Sequence, residues 1–108
     1  MNGFYRMDYV GHEGQGAGAL ALVGGKIAGI DAFGGVYKGT YNIQNGFTGM
    51  FELSMLNGGT LVTGRQMRLG EVLPIRFAQP TEVLNGQPFE ILVDDTHVRV
   101  RLTKVADL

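Results

Sequence analysis

The side chains in this sequence that could carry chemistry are few and scattered. Ser54 is the only serine, cysteine is absent, and the two histidines stand at positions 12 and 97. A nucleophile needs a base within hydrogen-bond reach. Ser54 falls in the middle of a strand pattern rather than on a sharp turn, with no histidine near it in sequence. The carboxylates Asp8, Glu13, Asp31, Glu52, Glu71, Glu82, Glu90, Asp94 and Asp95 are spread along the chain. Asp94-Asp95 reads as a hairpin turn, since aspartate bonds its own backbone there, and Asp31 reads as a cap on the turn toward Gly34-Gly35. In a closed antiparallel meander the end of the first strand lies beside the start of the last. His12 and His97, with Glu13 or Asp95, are therefore the one set of imidazoles and carboxylates with metal-ligand character. Two exposed histidines are far more often ordinary surface groups. No catalytic residue, metal or cofactor is assigned.

Two glycine patterns fail on context. Gly14-x-Gly16-x-x-Ala19 fits a permissive dinucleotide motif, but Gly24-Gly25 arrives too soon for the helix whose N-terminus would meet the pyrophosphate. Gly24-Gly25-Lys26 lacks the following Ser or Thr, where Ile27 stands, and the earlier glycine, where Leu20 stands.

The aromatic and methionine residues are more informative. Tyr5, Met7, Tyr9, Tyr37, Tyr41, Phe51 and Met55 alternate with polar positions, so one interior collects them. Such an interior is either a packed core or a pocket, since an eight-stranded barrel is just wide enough to fill or to hold one small ligand. In the pocket reading Tyr5, Met7, Tyr37, Tyr41 and Phe51 line the ligand site.

The elements that position these residues are short strands. Eighteen glycines against three prolines among 108 residues suit turns and bends in a curved sheet and argue against helices. Residues 3–10, 16–23, 26–31, 36–44 and 47–56 read as strands, divided by turn signals at 11–14, Gly24-Gly25, Gly34-Gly35 and Asn45-Gly46. Asn57-Gly58-Gly59 turns again. Residues 60–63 and 73–78 read as extended, 64–70 as an irregular loop or more strand, and 81–88 as a loop. Residues 89–93 and 98–104 form a last hairpin. About eight strands joined by short connections make one all-β domain over 1–108, an up-and-down barrel whose last strand pairs with its first and removes the exposed edges.

The N-terminal part resembles a known family. Gly3-Phe4-Tyr5, Gly16-x-Gly18-x-Leu20, Gly25-Lys26-Ile27-x-Gly29-x-Asp31 and Val36-Tyr37-x-Gly39 are similar to the GrlR family, named for a bacterial negative regulator of type III secretion genes. The likeness runs from about Gly3 to Tyr41. It implies a lipocalin-like, calycin-type barrel of eight strands, often dimeric, without enzymatic activity, which regulates by binding a protein such as a transcriptional activator. Secretion-regulating members carry an acidic run in the hairpin after the Tyr-x-Gly strand; here that position reads Ile43-Gln44-Asn45-Gly46. By analogy Gln44, Asn45 and Gly46 are the partner-binding candidates.

Charge narrows the partners. Nine basic and ten acidic residues leave a formal net charge of −1, which offers no footprint for nucleic acid or an anionic membrane. Arg76, Arg99, Arg101 and Lys104 make at most a local stripe. No signal peptide is evident, the apolar stretch 16–25 is too short to span a bilayer as a helix, and the lack of cysteine leans cytoplasmic. The expectation is a non-enzymatic regulatory protein that binds a protein partner; the alternative is a barrel that binds a small apolar molecule.

Overall fold

The structure is a computed structural model that describes residues 2–108. Its ten strands are β1 (Gly3–Gly11), β2 (Gly14–Val23), β3 (Lys26–Asp31), β4 (Gly35–Asn42), β5 (Phe47–Met55), β6 (Gly59–Thr60), β7 (Gln66–Met67), β8 (Val72–Gln79), β9 (Phe89–Val93) and β10 (Thr96–Asp107). Eight of them form one antiparallel sheet in the order β8-β5-β4-β3-β2-β1-β10-β9, and β6 and β7 make a separate two-stranded ribbon. The sheet curls into a nearly closed up-and-down barrel, as the strand pattern predicts.

Alternation fixes what points inward. Tyr5, Met7 and Tyr9 of β1 stand opposite Leu20, Gly18 and Gly16 of β2. Tyr37 of β4 pairs with Gly29 of β3 and Leu53 of β5. These positions face the interior, where Tyr5, Leu22 and Leu102 are the most completely buried side chains. Full burial of one such apolar side chain stabilises the fold by roughly 1.5–3 kcal/mol. The turns use the residues their geometry needs. Gly24 and Gly25 have φ of 58° and 81°, and Asp94 and Asp95 have 56° and 61°, the paired positive values of a type I′ hairpin.

Closure differs from the expectation in one respect. β1 does pair with β10, from Gly3↔Asp107 to Val10↔Arg99. The sheet's two edge strands, however, are β8 and β9, which lie side by side without a backbone ladder. A side-chain bond from Gln79 Nε2 to the Glu90 carbonyl, 2.8 Å, spans this seam.

Two connections carry more structure than their sequences announce. The loop expected at 81–88 contains a 3-10 helix, Thr81–Asn85, that buries Val83 and Leu84 and ends at Gly86 with φ of 92°. It plugs one end of the barrel beside β10. The stretch 60–63, expected to be extended, keeps only Thr60 in a strand, and the loop region 64–70 contains β7. β10 also runs past the expected 98–104, and β4 stops two residues short of Gln44.

Candidate functional site

At the end opposite the plug, the hairpin β3–β4 places Asp31 on the inward face, in step with Ile27 and Gly29. Its carboxylate is the acceptor for four donors. Oδ1 takes the backbone N–H groups of Phe33 (2.9 Å) and Gly35 (2.8 Å). Oδ2 takes the hydroxyls of Tyr9 (3.0 Å) and Tyr37 (2.5 Å). The turn-capping role expected for Asp31 is thus present, and the same group also ties β1 and β4 together. Burial, reinforced by the bond to Asp31, drives the Tyr37 hydroxyl far above the ordinary tyrosine value. Burial and the Asp31 charge do the same for Tyr9. Both phenols therefore stay neutral and donate.

Glycines make room for this cluster. A Cβ at Gly35 would fall on the Asp31 carboxylate, and one at Gly16 would fall on the Tyr9 hydroxyl. Only a residue without a side chain admits such close approach.

The connection between β5 and β8, residues 56–71, folds as a strap across this mouth. It is tied to three turns. Leu56 N donates to Gly34 O (2.9 Å), Val62 O accepts from Glu13 N (2.8 Å), and Arg65 reaches Asp94 (3.1 Å) while also pairing with Glu71 (2.5 Å). Glu71 lies below the usual glutamate value, first because the Arg68 backbone N–H donates to it and second because Arg65 does. Met67 of the strap is buried, with Leu61 and Val62 packed on the core.

The interior is nearly full. Core side chains of the described residues line one cavity of about 50 Å³ toward the plugged end and another of about 70 Å³ beneath the strap. Met7, Tyr37, Phe51, Ile91 and Val100 wall both, so these side chains form the partition between them. Each cavity is well below the roughly 300–1,000 Å³ of a site for a drug-sized ligand. Of the expected ligand set, Met7, Tyr37 and Phe51 line the cavities; Tyr5 and Tyr41 point inward at the plugged end and line neither. The cavity toward the plugged end is walled by apolar side chains, Tyr37 apart. The one beneath the strap also has Asp31, Tyr9 and Thr63 in its wall, and the Thr63 hydroxyl is buried with no hydrogen-bond partner.

The other candidates are dispersed. Gln44 and Asn45 are exposed in the β4–β5 hairpin, with Gly46, at the plugged end; Asn45 has φ of 62°, and Asn42 Oδ1 accepts the Gln44 N–H at 2.7 Å. Ser54 stands in β5 paired with Val36 and Val72, on the outer face. His97 lies on the outer face of β10, its Nδ1 3.9 Å from the Glu90 carboxylate. Among the described residues no group of three or more His, Asp or Glu side chains is placed to hold a metal ion. Arg99 and Arg101 stand opposite Glu90 and Asp8 on the neighbouring strands, so this wall alternates in sign. Among the described residues no helix is long and apolar enough to cross a membrane.

The strap and the Tyr9–Asp31–Tyr37 cluster are the parts of the site that strand patterns do not announce. A signal for the cluster exists: Asp31 shares parity with Ile27 and Gly29, and that alone puts a carboxylate inside. Comparison with known proteins adds nothing to this geometry, since no family model matches the chain and no curated protein matches it.

Proposed function

We propose that this protein is a non-catalytic interaction protein that acts by binding a protein partner on the outer face of its barrel. The observation that carries the reading is a row of side chains in cross-strand register on that face. Ala19, Ile30, Val36, Ser54 and Val72 are successive partners across β2, β3, β4, β5 and β8. Neighbours in such a row lie within about 5.5 Å of one another. Ile30 is 61% exposed and Val72 48%, and at the strap end of the row Phe33 and Leu56 are each 62% exposed. An apolar strip of this kind, rimmed by the charged Lys38–Glu52 pair, is characteristic of interaction surfaces. The opposite wall, β1 and β10, also exposes Val10 and Val105, but there Arg6, Asp8, Arg99 and Arg101 stand between them.

The nearly filled interior supports an exterior binding mode over a lipocalin-like carrier of a large ligand. The residue pattern shared with the GrlR family supports regulation of a protein such as a transcriptional activator, and the absence of cysteine accords with a cytoplasmic setting. A second copy of the chain is one partner that the face suits.

The test is capture from native lysate with tagged protein, together with light scattering. The wild type is expected to retain one stoichiometric partner or to dimerise, and the double variant Ile30→Asp, Val72→Asp to lose it while remaining folded. Loss on Gln44→Ala, with the double variant unaffected, would move the site to the β4–β5 hairpin. A monomer with no partner would overturn the reading.

A further inference from the structure

The cavity beneath the strap has a chemistry that the outer face does not use. Asp31 sits in its wall, and among the described residues its carboxylate makes no ion pair. Its charge is met only by four neutral donors. Tyr9, Phe33, Tyr37 and Phe51 stand in the same wall, and Tyr37 and Phe51 pack edge to face with ring centroids 5.8 Å apart. Aromatic walls attract cations through their negative faces, and a part-buried carboxylate among them adds to that attraction.

We propose that this cavity binds a small alkylammonium cation. Three observations select that class. A metal ion is disfavoured because both carboxylate oxygens are already occupied, whereas Ca²⁺ or Mg²⁺ needs six or more oxygen ligands. An ammonium group with an apolar shell needs no free lone pair on Asp31, and it finds apolar surface on Met7 and Met55 in the same wall. A volume of about 70 Å³ holds roughly five water-sized groups, at about 10–15 Å³ each, which is the size of tetramethylammonium. Entry is beside Phe33, which lines the cavity and is mostly exposed at the mouth. The inference stands independently of the outer-face reading.

The experiment titrates the intact chain with tetramethylammonium chloride and, separately, with tert-butanol, an uncharged molecule of nearly equal size. Methyl resonances of Met7 and Met55 report the cavity, and sodium chloride controls for ionic strength. Saturable shifts are expected for tetramethylammonium at least about tenfold tighter than for tert-butanol. Asp31→Asn should remove that preference. Phe33→Leu, at an exposed turn where the fold tolerates change, should weaken the cation selectively and so serves if the Asp31 variant does not fold. Equal affinity for the two probes, no saturable shift, or full binding by Phe33→Leu would overturn the proposal.

Discussion

Asp31 and Tyr37, from neighbouring strands of one hairpin, share a 2.5 Å hydrogen bond inside the barrel. Tyr9 reaches the same carboxylate oxygen from β1, across β2. One carboxylate thereby joins β1 to β4, which the sheet order separates, and it also holds the β3–β4 turn.

Replacing Asp31 with alanine should therefore cost more than an ordinary turn substitution. It strands two backbone N–H groups and two tyrosine hydroxyls, of which Tyr37 is buried. Unsatisfied buried groups cost about 1–3 kcal/mol each, and partial hydration of the mouth reduces the sum. A loss of about 3 kcal/mol is expected in urea unfolding; a change near zero would show that the cluster contributes little.

The same bonds predict alkaline sensitivity. Tyr37 and Tyr9 titrate above the ordinary value of 10.0 in the fold, chiefly because burial disfavours the phenolate. A group whose folded value is raised contributes stability that is fully present below its unfolded value and is lost as pH rises toward the folded one. Stability should hold up to about pH 10 and fall above it. Tyr37→Phe should flatten that fall, which unfolding midpoints from pH 8 to 12 would measure.

Gly16 is predicted to be intolerant. Gly16→Ala puts a methyl on the Tyr9 hydroxyl and should cost about 1–3 kcal/mol by overpacking. Gly16→Ala in a Tyr9→Leu background should cost less than in the wild type; strict additivity of the two changes would refute the contact.

Arg65 should govern the strap rather than the barrel. Arg65→Ala removes the links to Asp94 and Glu71. Amide exchange at Leu61, Val62 and Met67 should quicken while exchange in β1 and β2 stays slow. Lowering the pH below the ordinary glutamate value of 4.5 should act in the same direction. Glu71 is depressed in the fold, so its contribution is present above that value and fades as pH falls through the folded one.

The plug supplies a conventional core test. Leu84 is 2% exposed, and Leu84→Ala should destabilise by about 2–5 kcal/mol. A smaller loss would mean that the plugged end collapses around the gap.

Strand pattern makes much of this legible in the sequence, because alternation is local. Tyr37, Gly39 and Tyr41 declare an inward face within one strand, and Gly24-Gly25, Asn45-Gly46 and Asp94-Asp95 mark their own turns. The strap is illegible for the converse reason. Met67 is buried and Leu61 and Val62 half-buried at irregular spacing among Gly58, Gly59, Gly64 and Gly70, so no period points them inward. Val83 and Leu84 are adjacent and show neither helical nor strand repeat; only Pro80 before them and Gly86 after them hint at a compact turn. The carboxylate cluster lies between these cases. The parity of Asp31 is readable, but its partnership with Tyr9 depends on the registers of two successive hairpins, β1–β2 and β2–β3, which alternation within one strand does not set.

The pairing of β1 with β10 has a consequence for how the chain reaches its fold. Gly3 meets Asp107, so this ladder in the middle of the sheet joins residues from opposite ends of the described chain. During synthesis the meander β1–β5 can form first, since its contacts are between neighbours, but one edge of β1 stays bare until β10 emerges. Such late, non-local pairing slows folding, and a waiting edge invites other chains. Phe4 and Val10 flank that edge with Arg6 and Asp8 between them, and this alternating pair of charges guards the nascent strand while it waits.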